Sequence, residues 1–131
     1  MGYQYTALVT TLSLLTYFWT IFMVGRARGR FKLEAPATTG HPDFERVFRV
    51  HQNTLENIAM YLPALWLFAA YVSDRWAAAL GAVWIVGRIL YARGYYAEAA
   101  KRSTGFLISL GAAGVLLLGS LIGIVVQMLK A

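Results

Sequence analysis

Apolar and polar positions along this chain fall into four helix-length blocks, with most charges gathered at the block ends. The first block runs from about Tyr5 to Val24 and the second from about Asp43 to Val72. The third covers about Ala77 to Tyr96, and the fourth Gly105 to about Met128. About 20 apolar residues in a row cross the hydrocarbon core of a bilayer as a helix. The pattern therefore predicts an all-α integral membrane protein, a single bundle of four transmembrane helices over residues 1–131. The intervals are short and polar. Glu34 to Pro42 holds two prolines and a glycine, Ser73 to Trp76 reads as a tight connection, and Glu98 to Thr104 as a brief link. Ahead of the first block, Met1 to Thr6 carries no positive charge, and no small-residue cleavage site follows it, so it is expected to stay as a helix.

The second block is longer than a bilayer needs. Thirty helical residues reach roughly 45 Å, against a hydrocarbon core of about 30 Å. With its outer boundary at Val72, the inner boundary falls near Asn53, and the polar first third projects past the membrane. Pro63 interrupts the apolar part and predicts a kink there, because it removes a backbone donor and crowds the carbonyl of Ala59.

Composition supports the membrane class. The chain is 59% hydrophobic and 14% charged, where soluble domains average about 45–50% and about 25%. There is no cysteine, which excludes disulfides, thiolate metal sites and a cysteine nucleophile. Two histidines, His41 and His51, are too few for a protein metal cage. Thiol chemistry would have to come from a bound molecule. The formal net charge of +6 raises nucleic acid as a partner. The charges crowd the block ends without any binding motif, which argues against it. Arg26, Arg28, Arg30, Lys32, Arg46 and Arg49 flank the first loop, and Arg88, Arg93, Lys101 and Arg102 the third, against Arg75 and Lys130 on the other side. Positive-inside asymmetry then places the first and third loops in the cytoplasm and both termini opposite. Contact with anionic membrane lipid accounts for Arg26, Arg30 and Lys32, but not for charges inside the helices.

Those inner charges are patterned. Arg46, Arg49, Asn53 and Glu56 recur at spacings of three, four and three, one stripe of a helix. On the third helix Arg88, Tyr91 and Tyr95 recur at three and four, and extending that helix brings Arg102 onto the same line. Both stripes lie at the cytoplasmic ends of their helices. An acid beside hydrocarbon, such as Glu56, is costly unless it is paired or faces water. Two readings stand. The charges could be an ion-pair cluster that fastens the second and third helices, with Arg49 or Arg88 on Glu56. Alternatively, the surplus of arginine awaits a small anionic ligand. Two carboxylates, one amine and peptide amides would match the set, as in glutathione, with arginines on the carboxylates and Glu56 on the ammonium.

Phe44-Glu-Arg-Val-Phe-Arg49, His51-Gln-Asn-Thr-Leu-Glu-Asn57, Gly87-Arg-Ile-Leu-Tyr91, Gly94-Tyr95 and Glu98-Ala-Ala-Lys-Arg-Ser-Thr-Gly-Phe106 together resemble a known signature. It is that of the membrane-associated proteins in eicosanoid and glutathione metabolism. The likeness includes Pro36 and Thr38-Thr-Gly40 and covers roughly residues 28–111. The pattern is most similar to the type 2 microsomal glutathione transferases and leukotriene C synthases. The resemblance implies a homotrimer with glutathione, as co-substrate, bound between subunits. Arg49, Asn53, Glu56, Tyr91 and Tyr95 would come from one subunit, and Arg28, His51, Arg88 and Arg102 from the next. Arg102 takes the catalytic place, as the cation that stabilises the thiolate. The thiolate would attack a lipophilic electrophile arriving from the bilayer, or reduce a lipid hydroperoxide. No metal is implied.

Three departures qualify the likeness. Leukotriene C synthases carry two adjacent arginines where this chain has Arg28-Gly29, which counts against leukotriene synthesis and leaves glutathione binding intact. Asn57 stands where those relatives have tyrosine, and His51 where they have glutamine. Two further function classes compete: a non-catalytic lipid-binding scaffold of the same family, expected to lack parts of the glutathione set, and a small multidrug transporter. The latter is expected to carry a membrane acid in its first helix, and Tyr5 to Val24 has none.

Overall fold

The computed structural model of the chain describes residues 2–131, and its regular structure among them is entirely helical. Four long helices follow one another: α1 (Gln4–Phe31), α2 (Pro42–Tyr71), α3 (Asp74–Ala97) and α4 (Ser103–Lys130), with a single 3-10 turn at Ala99–Arg102. Three of them, α1, α3 and α4, are long and apolar enough to cross a membrane. The second helix is as long, but Arg46, Arg49, Gln52, Asn53, Glu56 and Asn57 occupy its first half and lower its mean hydropathy. Four helices are therefore present where four were expected, while apolarity alone marks three as spans.

Helix ends follow local chemistry. The first helix continues past the expected end at Val24 to Phe31, through the basic stretch. It stops where Lys32 adopts a left-handed conformation (φ 56°), with the Lys32 and Leu33 N–H groups both donating to the Arg28 carbonyl. Pro42 begins α2 at the position where a missing N–H costs nothing, and His41 Nδ1 accepts from the Asp43 N–H at 3.1 Å. The second helix runs through Pro63 without ending. At the α2–α3 turn the Ser73 hydroxyl caps α3 by accepting from the Trp76 N–H.

Asp74, in the first turn of α3, also caps α1. Its carboxylate accepts from the Thr6 N–H at 2.9 Å and the Tyr5 N–H at 3.3 Å. Burial works to raise this carboxyl, but hydrogen bonds from Thr6 and Tyr5, with Arg75 nearby, outweigh it and hold the group below its ordinary value. A depressed folded-state value means the stabilisation is full above the unfolded value of 3.8 and is lost as pH falls below it. Asp74→Ala should therefore lower the melting temperature at neutral pH and flatten its dependence on pH below about 4. Equal acid slopes in variant and parent would contradict this cap.

The core lies mid-bundle. Val9 of α1, Tyr61, Leu65 and Phe68 of α2, Trp84 of α3 and Leu116 of α4 belong to one buried cluster. Tyr61 and Trp84 stack with ring centres 4.0 Å apart, and the Trp84 indole N–H donates to Asn57 Oδ1 at 2.7 Å. Asn57, one of the departures from the family likeness, thus satisfies a buried donor. Trp66 and Trp76 are exposed on the outer surface, whereas Trp84 and Phe68 pack between helices.

The pairing of α3 with α4 positions the site. A methyl group on Gly87 would lie 2.6 Å from the Ser109 nitrogen, and one on Gly105 would lie 2.6 Å from the Gly87 carbonyl oxygen. The two backbones approach this closely only because neither residue has a Cβ. Gly94 does the same for the turn after α3, where a Cβ would collide with the backbone of Lys101.

Candidate functional site

The first half of α2, the last two turns of α3 and the start of α4 meet at one end of the bundle. There Arg49, Gln52, Asn53, Glu56, Tyr91, Tyr95 and Arg102 line a cavity of about 240 Å³. Its wall is mostly polar. Next to it, Asn53, Tyr91, Arg102, Ser103, Phe106 and Leu107 line a second cavity of about 400 Å³ with a largely apolar surface. Asn53, Tyr91 and Arg102 belong to both, so a polar chamber opens beside an apolar one with an arginine at the join.

Arg102 does not reach this place on an extension of α3. The helix ends at Ala97, Glu98 is extended, and the 3-10 turn folds the chain back against Gly94. The Arg102 guanidinium lies 5.5 Å from the Tyr95 ring centre and donates to the Ala99 carbonyl at 2.6 Å. Tyr95 meets Tyr91 edge to face, with ring centres 5.6 Å apart. Arg102 therefore lines the same cavity as Arg49, Asn53, Glu56, Tyr91 and Tyr95 of its own chain.

Charges around the cavity do not neutralise one another internally. The sole ion pair among the described residues joins Arg46 to Asp43, adjacent turns of α2. Arg46 does not line the cavity that Arg49, Asn53 and Glu56 share. Glu56 pairs with neither Arg49 nor Arg88. The expected ion-pair cluster between α2 and α3 is absent among the described residues, so one carboxylate and two guanidiniums face a shared space.

The remaining expected residues lie elsewhere. Arg88, expected to hold a ligand directly, is only 1% exposed and does not line the cavity. It donates to Asn53 Oδ1 at 3.1 Å, Thr54 Oγ1 at 3.0 Å and Ser109 Oγ at 3.3 Å, and lies 4.1 Å from the Tyr91 ring centre. Arg28 donates to the Leu33 and Ala37 carbonyls and covers the Phe44 ring, which binds the first loop to α1. His51 stacks on Tyr17 at 5.7 Å, and its Nδ1 has no partner among the described residues.

Gln52, Ser103, Phe106 and Leu107 line the two cavities but were not singled out in the sequence. For Gln52 the signal existed, since positions 49, 52, 53 and 56 are the full i, i+3, i+4, i+7 face of a helix. Ser103 and Phe106 lie in the family-like block that ends at Phe106, but no periodicity marks them or Leu107, because their approach depends on the turn before them. The described residues contain no group of three or more His, Cys, Asp or Glu placed to hold a metal.

An all-helical bundle with membrane-length apolar helices and a polar, arginine- and tyrosine-walled chamber at one end defines a membrane protein with an internal polar site. Comparison with known proteins makes the class specific. The family model for the MAPEG family matches residues 6–122. The chain belongs to the MAPEG family. It is 42% identical to microsomal glutathione S-transferase 2 of Homo sapiens over 118 residues, which is 90% of this chain and 80% of that protein. Over 125 residues it is 34% identical to leukotriene C4 synthase of Cavia porcellus, covering 95% of this chain and 83% of the other. An uncharacterised protein of Synechocystis sp. is 50% identical over 122 residues, 93% of this chain and 89% of that one.

Proposed function

We propose that the chain is a membrane-bound glutathione transferase that converts bound glutathione to its thiolate and conjugates it to lipophilic electrophiles. One observation carries the reading: an unpaired carboxylate and two guanidiniums share a tyrosine-walled chamber beside an apolar one. Family membership and the glutathione transferase relatives support it. Arg49 holds a carboxylate of the tripeptide, Glu56 accepts from its ammonium, and Asn53, Tyr91 and Tyr95 donate to its amides and carboxylates. The sulfur lies at the join of the two chambers, against Arg102. A fixed cation there draws a thiol down from its free value of about 8.5. The electrophile enters the chamber walled by Phe106 and Leu107 from the hydrocarbon side. Reduction of lipid hydroperoxides at the same sulfur is proposed as a side activity.

The assembly and orientation belong to this proposal too. All four helices, α2 included, cross the membrane, with the first and third loops cytoplasmic and both termini opposite. Three copies assemble, and Arg28 and His51 serve the chamber of a neighbouring subunit.

Glu56 gives the sharpest test of ligand identity. Charge-assisted hydrogen bonds contribute about 1.5–3 kcal/mol, so Glu56→Gln should weaken glutathione about tenfold or more by calorimetry on detergent-purified protein. N-acetylated glutathione, which lacks the ammonium, should bind parent and variant equally. Tight binding of the acetylated form that still depends on Glu56 would remove Glu56 from the ammonium.

A further inference from the structure

We propose that Arg88 is a positioning residue: a buried cation without a counter-anion that acts on bound glutathione through Asn53 and Tyr91, touching neither sulfur nor tripeptide itself. The inference rests on the glutathione reading above.

The partners of Arg88 set its role. It sits on α3 and donates to Asn53 and Thr54 on α2 and to Ser109 on α4. All three acceptors are neutral, and no carboxylate among the described residues pairs with it. Its Nε is buried without a partner among the described residues. A charge taken out of water with only neutral partners is costly. Fastening three helices would be served as well by a neutral amide, so the cost asks for a return from the charge.

Two chamber walls receive it. Asn53 uses its carbonyl oxygen on Arg88, which leaves the amide N–H groups as pure donors beside the chamber. An asparagine free to rotate could present either end; this one presents donors, the polarity that a peptide carbonyl or carboxylate requires. The guanidinium also packs on the Tyr91 ring, 4.1 Å from its centre. That cation draws electron density from the ring, so the phenol hydroxyl becomes a better donor. In an interior of low dielectric, the charge itself is felt across these two side chains. Bound glutathione, a net anion, supplies the compensating charge. Lysine could retain the charge but not the fork that reaches three acceptors at once.

The test uses the full chain purified in detergent, with glutathione as the probe and two readouts: Kd by calorimetry, and the pH midpoint of the bound thiolate by ultraviolet absorbance. Arg88→Lys should weaken glutathione about tenfold while keeping the thiolate midpoint close to the parent. Arg88→Gln should weaken it as much and also raise the midpoint by about half a unit or more. Ser109→Ala removes a support of Arg88 from outside both chambers, together with a hydrogen bond to the Phe106 carbonyl within α4, and should weaken glutathione about threefold. Folded Arg88 variants with parental Kd and midpoint would overturn the inference and leave Arg88 as a fastener. If the Arg88 variants do not fold, Ser109→Ala decides, and parental affinity there overturns it equally. Absence of a thiolate signal in the parent protein would instead strike the glutathione reading itself, so the two failures are separable.

Discussion

Arg102→Ala should retain glutathione and lose the thiolate. Arg102 is exposed at the join of the two chambers and makes one backbone hydrogen bond besides its contact with Tyr95. Its side chain fastens little, so the variant should fold. Without the cation the bound thiol returns toward about 8.5, where only a few per cent is ionised at pH 7. A shift of two units corresponds to about 2.7 kcal/mol. Accordingly kcat/KM for conjugation at pH 7 should fall about twenty- to thirtyfold, the ratio of the two thiolate fractions, with Kd changed severalfold at most. The sign is testable across pH. The rise of activity with pH should move up by one to two units in the variant, and the deficit should shrink above about pH 9. A uniform loss at every pH would assign Arg102 to binding rather than to ionisation.

Gly105→Val should destroy the fold rather than the chemistry. The closest atoms to a Cβ at Gly105 are backbone atoms of Tyr91 and Gly87, which cannot rotate away as a side chain end can. Relief requires α4 to move off α3, which parts Ser109 from Arg88 and opens the seam at Tyr91. Overpacking in a core commonly costs about 1–3 kcal/mol; with backbone on both sides the loss should exceed about 3 kcal/mol. The expected result is aggregated protein or a melting temperature in detergent lowered by ten degrees or more. Gly94→Ala offers the contrast. The atoms nearest a Cβ there all belong to Lys101 in the turn after α3, so the bundle should survive while Arg102 is displaced and conjugation falls. A Gly105→Val protein with parental melting and activity would refute the close-packed crossing.

Much of this was legible in the sequence, and the reasons are local. The four helices follow from blocks of membrane length and from prolines, glycines and hydroxyl caps between them, and apart from the C-terminal end of α1 their ends fall close to the expected positions. The α2 stripe was readable because Arg49, Asn53 and Glu56 lie on one helical face, and a period needs no tertiary knowledge. Three features were not readable. The first helix outruns its apolar block because arginines are good helix formers and a left-handed Lys32, not polarity, ends it. Arg102 seemed to continue the face of α3, yet Glu98 breaks the helix and Gly94 admits the returning turn. Arg88 shared a stripe with Tyr91 and Tyr95, and periodicity gave it their place; its burial is decided by α4 closing over it through Gly87 and Gly105. Helix period reports which side a residue faces, and only the neighbouring helix decides whether that side meets a cavity or a core.

The central claim is that this chamber ionises glutathione. The direct measurement is the ultraviolet absorbance of the thiolate when glutathione is titrated into the detergent-purified protein at pH 7. The account predicts a saturable thiolate signal, with a midpoint at least one pH unit below that of free glutathione. Saturable binding with no thiolate would leave a site without a catalyst, and no binding at all would return the arginines to a structural role; either result contradicts it.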